Sequence, residues 1–293
     1  TLRNIKPLML ARTVGGGLPA GVNPGSIASP TAGQVNNFSG GNPNLVPEKS
    51  TTLTLGAVLN PGAIPGLTAS VDYFDIKVKK AILETPEQAI IDACYFAEQS
   101  ATGTFCQFIR RSQIDGSLEG DTIYGVQSFK RNIGLLQARG IDVALDYNTP
   151  ITDSARLLLG FNMTYMLDSK IKYANVLRAY ECGGKAGKTC LDPQPKWSWN
   201  AQVGAEVGKF LAQLTWRHIS SIKYDAFTVG YYNPDRSFVL VDKIKGYDYF
   251  DLAMRFKVND DFAFRFGVDN LLNKKPPVIG NDYGGTTQNS GNT

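Results

Sequence analysis

The chain has 293 residues, and its 30 basic and 26 acidic side chains leave a formal net charge of +4, too small a balance to point to nucleic acid as a partner. A single histidine removes most hydrolase triads and most zinc chemistry, so neither catalysis nor a cofactor is expected, and 43% apolar residues argue against disorder. No stretch approaches the roughly 20 consecutive apolar residues of a membrane-spanning helix, which leaves alternating strands as the membrane architecture compatible with this composition.

The chain opens on Thr1 and closes on a Gly/Thr/Asn-rich stretch, 282–293, and it reads as a segment of something larger. Gly15-Gly16-Gly17 lies in a Pro/Gly-rich stretch rather than between a strand and a helix, so no phosphate loop is expected there. From residue 51 onward, period-2 patterns dominate. The first two strands are expected over 51–59 and 67–78. In the second, the apolar set moves from odd positions (Val71, Tyr73) to even ones (Phe74, Ile76, Val78), which predicts a bulge near Tyr73. Ile141, Val143, Leu145 and Tyr147 then oppose Asp142, Ala144 and Asp146. Leu157, Leu159, Phe161, Met163, Tyr165 and Leu167 follow, with Leu158 and Met166 breaking the alternation. The next pair of strands runs from Trp197 to Val207 and from Phe210 to Trp216. In the last pair, Phe250, Leu252, Met254, Phe256 and Val258 precede Phe262, Phe264, Phe266 and Val268.

These eight candidates are longer than the usual 5–6 residues of soluble sheets. Their connections alternate too. Residues 60–66, 148–154, 208–209 and 259–261 are short; 79–132, 168–195, 220–246 and everything after 270 are long. Gly208-Lys209 suits a type II′ hairpin, which would set Val207 and Phe210 on one face. Short turns at one end and long loops at the other describe an antiparallel up-and-down transmembrane β-barrel segment, with short periplasmic turns and long extracellular loops. A soluble β-sandwich also has one apolar face. Against it stand the strand lengths, the charges on the polar face, and aromatics near the strand ends (Trp197, Trp199, Trp216, Tyr165, Tyr249) that read as an interfacial girdle. Period 2 places Phe250, Phe256, Phe264, Phe266, Leu159 and Phe161 toward lipid. Asp251, Arg255, Arg265, Asp269, Asn162 and Gln202 are then the lumen-facing candidates. If Val258 pairs with Phe262, Arg255 opposes Arg265 and Asp251 opposes Asp269. Both arginines are then expected to share a partner outside their own hairpin, an acidic group from a plug domain or a neighbouring strand.

Cys94 and Cys106 fall in one long loop, and Cys182 and Cys190 in another. Four cysteines suit an oxidising compartment, and these two local disulfides, both on the extracellular side, are the simplest of three connectivities. The spacing is wrong for a zinc site, and no metal is expected. His218 ends a strand beside Trp216 with no obvious carboxylate nearby, and reads as a girdle or rim residue; Gly183-Gly184 reads as a turn. The long loops carry Tyr95, Arg110, Arg111, Tyr180, Tyr224, Tyr231, Tyr232 and Arg236. These are candidates for gripping an anionic iron chelate or stacking on a sugar or corrin; equally, the bases can face lipopolysaccharide phosphates while the aromatics pack loop on loop.

Gly41-Asn42-Pro43-Asn44-Leu45-Val46-Pro47-Glu48-Lys49-Ser50, followed by an alternating strand, resembles the GNPNLxPEKS signature of TonB-dependent outer-membrane receptors. Three further segments are similar to that family in the expected order: Val71-Asp72-Tyr73-Phe74-Asp75-Ile76-Lys77, Ala138-Arg139-Gly140-Ile141-Asp142, and residues 267–277 with their Asn270-Leu271-Leu272 core. Arg3-Asn4-Ile5 is similar to a stretch that precedes this region. The resemblance implies about eight long strands from a barrel of roughly 22, filled by a plug domain. It implies import of a scarce nutrient, a ferric siderophore or similar large ligand (cobalamin or carbohydrate being possible), energised by the TonB complex through the plug and TonB box. Residues 1–293 would be the C-terminal portion of that barrel domain without its plug, early strands or last strand. Within it, 1–49 would be mostly extracellular loop, 50–270 barrel strands and loops, and 271–293 a further extracellular loop. The location implied is the cell outer membrane of a Gram-negative bacterium, among outer-membrane lipid and lipopolysaccharide. A passive porin-type barrel and a soluble β-rich carbohydrate-binding module are the alternatives.

Overall fold

The computed structural model of the chain describes residues 18, 22, 27, 35–100, 102–119, 123–187, 189–225 and 241–279. Eight long strands organise it: β1 (Lys49–Leu59), β2 (Leu67–Glu84), β3 (Lys130–Thr152), β4 (Ala155–Lys172), β5 (Trp197–Val207), β6 (Phe210–Ile219), β7 (Tyr247–Lys257) and β8 (Ala263–Val268). Each pairs with the next in antiparallel fashion, so the sheet is a meander that runs in chain order from β1 to β8 and does not close on itself. All eight strands expected from the alternation are present.

Local chemistry explains the tight ends. Gly208 takes φ 55° and lets Val207 pair with Phe210, as a two-residue hairpin requires. At the last turn the Asn259 carboxamide oxygen accepts from the backbone N–H of Asp261 (3.0 Å) and Phe262 (2.8 Å), and Arg255 faces Arg265 as expected.

The bulge expected near Tyr73 is not there. The β2–β3 register runs unbroken from Leu67 to Lys79, and the irregularity comes at Lys80, whose φ is 55°. The apolar set changes faces because the strand's surroundings change along its length, while its backbone does not. Beyond Tyr73 the face that Tyr73 occupies carries Asp75, Lys77 and Lys79, and Phe74, Ile76 and Val78 continue the face of Asp72. Leu167, expected to continue the apolar set of β4, does not: it is inserted as a bulge between Met166, opposite Gly140, and Asp168, opposite Arg139.

Strand length is unequal. A barrel strand needs about 9–11 residues to cross a bilayer, yet β2, β3 and β4 have 18, 23 and 18. The excess projects toward the long connections. Those connections fold into a layer with its own core of Ile90, Tyr95, Phe105, Ile109, Val126, Tyr173 and Leu177. Two short sheets stiffen it: Asn37–Phe38, Gly125–Gln127 and Ile109–Arg110 form one, and Leu191–Gln194, Lys185–Gly187, Ile222–Tyr224 and Lys243–Ile244 the other. Disulfides Cys94–Cys106 and Cys182–Cys190 join residues 12 and 8 positions apart within it. The largest fully buried side chains therefore sit in the loops, and the membrane-length part of the long sheet keeps its large apolar residues at the surface.

Candidate functional site

Ladder partners share a face, so the register sorts every strand residue without further assumption. One face reads, from the short-turn end upward, Val207–Phe210–Phe256–Phe264, then Leu157–Ala205–Ala212–Met254–Phe266, then Leu159–Val203–Leu214–Leu252–Val268, then Phe161–Ala201–Trp216–Phe250. Met163–Trp199 and Tyr73–Ile141–Tyr165–Trp197 finish it. The rings touch across strands: Tyr165 stacks on Trp197 (6.4 Å), Trp199 meets Trp216 edge-on (4.4 Å), and Trp216 stacks on Phe250 (5.6 Å). This band is exposed, with Phe264 at 71%, Phe266 at 58% and Val203 at 54%. A contiguous apolar surface of this kind demands a nonaqueous partner.

The opposite face is polar. It carries Asp72 opposite Asp142, Asn162 opposite Asn200, and Gln202 opposite Thr215, and it holds Asp251, Arg255 and Arg265 as the alternation implied. Its charges are cross-strand pairs. The Arg217 guanidinium donates to both Asp251 oxygens (2.6 and 3.0 Å), and the Asn270 backbone N–H adds a third donor at 2.8 Å. Asp269 lies close enough to act electrostatically on Arg217. Arg255 reaches past β6 to Glu206 on β5, 3.4 Å away, a partner outside its own hairpin, whereas Arg265 does not share it and makes no hydrogen bond or ion pair among the described residues. Arg217 and Glu206 escaped the sequence reading although each sat in the polar set of its strand. Tyr249, read as a girdle residue, belongs to this face: it pairs with Arg217, whose guanidinium lies 5.3 Å from its ring centre. The girdle is therefore Tyr73, Tyr165 and Trp197, with the Trp199 and Trp216 rows below.

His218 does have a carboxylate partner. Its Nδ1 lies 2.8 Å from Asp248 Oδ1, which also accepts from Trp216 Nε1 at 2.8 Å, and the imidazole stacks on Trp199. The pairing joins β6 to β7 through residues 30 apart, so sequence proximity could not reveal it. Among the described residues no group of three or more His, Cys, Asp or Glu is placed to hold a metal.

The loop layer sorts the ligand-contact candidates. Tyr95 and Arg111 are buried together, with Arg111 Nε and Nη2 donating to the Tyr95 hydroxyl (3.1 and 2.9 Å) and Nη1 to the Gly116 carbonyl (2.8 Å). Tyr224 is buried against Ala186 and Ile222. Packing accounts for these three. Arg110 is exposed, and Tyr180 is half-buried beneath the Lys185 ammonium at 4.4 Å. Tyr231, Tyr232 and Arg236 lie outside the described residues, as do Arg3-Asn4-Ile5 and Gly15-Gly16-Gly17. Gly184, with φ 78°, is in the turn expected of it. Two loop groups are shifted from their ordinary titration. The Ser112 hydroxyl, and then the Ser117 backbone N–H, hold the Asp115 carboxyl down at about 2. Burial, seconded by the Asp225 carboxylate, pushes the Tyr173 phenol well above its usual range.

The family model described as TonB dependent receptor-like, beta-barrel matches residues 13–271. No curated protein matches the chain. Among solved structures, a mutant of the ferric enterobactin receptor PfeA from Pseudomonas aeruginosa is similar at 16% identity and a TM-score of 0.52, over 83% of this chain and 28% of that one. Another structure of the ferric enterobactin receptor PfeA gives 18% identity and 0.53, over 81% and 28%. The siderophore receptor PirA from Acinetobacter baumannii gives 17% and 0.49, over 80% and 29%. The chain thus spans under a third of the length of the receptors it matches.

Proposed function

The chain belongs to the TonB-dependent receptor β-barrel family, and from that premise we propose that it forms part of the wall of an outer-membrane receptor that imports a scarce nutrient into a Gram-negative bacterium. The observation that carries the reading is the division of one sheet into an exposed apolar face and a charged, cross-linked face. Water disfavours the first, and lipid disfavours the second. A barrel wall satisfies both, with the phenylalanines toward lipid and Asn162, Gln202, Asp251, Arg255, Arg265 and Asp269 toward the lumen. Unpaired backbone cannot face lipid, so the free edges of β1 and β8 require neighbouring strands of the same receptor to complete the barrel. In this placement the disulfide-bonded loop layer lies on the extracellular side, and the short turns are periplasmic.

The reaction is transport, with no covalent step, driven through the TonB complex. A ferric siderophore is the first ligand class, because the fold is shared with a ferric enterobactin receptor; cobalamin and carbohydrate follow. Among the described residues, exposed Arg110 and half-buried Tyr180 are the loop candidates left for such a ligand; Tyr231, Tyr232 and Arg236 stay candidates on the sequence alone. The test is uptake of radiolabelled iron as ferric enterobactin by cells carrying or lacking the complete receptor, with and without functional TonB. Saturable uptake that needs both supports the reading. Passage of small solutes that is indifferent to TonB would identify a passive porin instead.

A further inference from the structure

The short parallel pair that joins Ile222–Tyr224 to Lys185–Gly187 is poorly equipped to hold itself together. It has two registered positions, Lys223 opposite Lys185 and Tyr224 opposite Ala186. Parallel pairing is weaker per residue than antiparallel pairing, and like charges set directly opposite cost stability. The apolar cluster at the junction is small, with Ala186, Ile222 and Tyr224 buried. What secures the pair is Asp225, the next residue along. Its carboxylate is fully buried, and Oδ2 accepts from two successive backbone N–H groups, those of Thr189 (2.8 Å) and Cys190 (2.5 Å). The Asp225 N–H in turn donates to the Ala186 carbonyl at 2.8 Å. Successive amides converging on one oxygen form an anion-holding concavity, and a buried carboxylate is tolerable only while such donors stay in place.

Those donors are fixed from outside the pair. Cys190 is tied to Cys182, 8 positions away. The Tyr173 hydroxyl donates to the Thr189 carbonyl at 2.7 Å, so both backbone polar groups of residue 189 are committed. Gly187, at φ 142°, lets the chain pass close by: a Cβ there would lie 2.4 Å from Asp225 Oδ1. Opening the disulfide gives residues 189 and 190 many backbone conformations, few of which aim both N–H groups at one point. The carboxylate then recovers its hydration only if residues 222–225 leave the pair. We propose that the Cys182–Cys190 disulfide and Asp225 form one redox-sensitive latch in the loop layer. The disulfide state clasps residues 222–225 to the 182–190 hairpin, and reduction by a thiol releases them. In that step two electrons and two protons pass from a dithiol to the cystine, leaving two cysteine thiols and the reductant's own disulfide. The Asp225 donors lie at 189 and 190, so Cys94–Cys106 serves as the control.

The latch concerns the loop layer itself, and its readout needs no transported nutrient, so failure of import and failure of the latch are separate results. The complete receptor in detergent is followed by hydrogen exchange at single-residue resolution, before and after reduction with dithiothreitol. The variants D225A, C182A/C190A and C94A/C106A are measured in the same way. The Lys223 N–H donates to the Gly184 carbonyl (2.9 Å) and the Asp225 N–H to Ala186, both across the pair, whereas the Tyr224 N–H donates away from it to Asp242 (2.8 Å). Releasing the latch should therefore speed exchange at 223 and 225 more than about tenfold, with a smaller change at 224. C182A/C190A should reproduce the effect of reduction, and C94A/C106A should stay within about twofold of the parent. D225A should accelerate the same two amides about tenfold while the disulfide is intact, and no more than about twofold once it is open, because the two partners act as a unit. Unchanged exchange at 223 and 225 on reduction, equal loosening by C94A/C106A, or a D225A effect of the same size in both redox states would each overturn the proposal. If D225A does not fold, D225N, which keeps an acceptor oxygen without the charge, takes its place in the comparison.

Discussion

Tyr173 shows how much a single loop side chain carries. It is 2% exposed, and its hydroxyl donates to the Thr189 carbonyl at 2.7 Å, tying the segment after β4 to the Cys182–Cys190 loop. Its phenol titrates above the ordinary value because burial disfavours the phenolate. The stabilisation tied to the neutral form is thus complete below a pH of about 10 and is lost as pH rises toward the higher folded value. Tyr173→Phe should cost about 1 kcal/mol near neutrality, the usual worth of one hydrogen bond, and should abolish the part of the alkaline loss due to this phenol. Phenolate absorbance followed against loop proteolysis checks this, and identical alkaline profiles in the two proteins would rule it out. Asp115 moves in the opposite sense. Its carboxyl is held down at about 2, chiefly by Ser112, so its support of the 112–117 turn is present above the unfolded value near 3.8 and disappears as pH falls toward 2. An NMR titration of that carboxyl should find its midpoint below 3. Gly140 is a third case: a Cβ there would lie 2.5 Å from Phe74 Cζ and 2.8 Å from the Tyr165 carbonyl oxygen. Gly140→Ala should lower unfolding stability by roughly 1–3 kcal/mol, measurable by denaturation of the receptor in detergent. Nothing in the residues beside them in the chain marks these three positions for the roles they take. Their neighbours come from elsewhere in the chain, and so do their roles.

Among the elements, the strands were legible and their extent was not. Alternation located all eight, because a sheet with unlike faces imposes period 2 on any sequence that forms it. It misplaced the β2 irregularity because the apolar set changed sides for a different reason: the outward surroundings pass from apolar to charged above Tyr73. The two-faced wall makes a sharp comparison possible between neighbours in one strand. Leu214 lies midway up the apolar face, between Val203 and Leu252; Gln213 lies on the polar face, hydrogen-bonded to Gln202 at 2.8 Å. Leu214→Arg should cost about 2–4 kcal/mol in a bilayer, as a lipid-exposed guanidinium near the midplane does, whereas Gln213→Arg should cost no more than about 1 kcal/mol. Refolding into vesicles under denaturant measures both, and equal costs would contradict the assignment of faces.

At the scale of the whole molecule, the three tryptophans provide a direct reading of the wall. Trp197, Trp199 and Trp216 are the chain's entire complement, and all three lie on the apolar face. In vesicles, intrinsic fluorescence should be quenched strongly by brominated acyl chains and weakly by aqueous iodide, with Trp216 deeper than Trp197 in single-tryptophan variants. Strong iodide quenching would mean that this face meets water. Read alone, the sequence determined the number of long strands, the face of nearly every residue in them and the separation of short turns from long loops. Each of these follows from neighbours two residues apart, or from local turn chemistry. Only the tertiary structure decided that Tyr95 and Arg111 satisfy one another inside the loop layer, that His218 and Asp248 meet across β6 and β7, and that Arg255 reaches Glu206. Such contacts depend on inter-strand register and loop packing, which join residues tens of positions apart and leave no periodic trace in the chain.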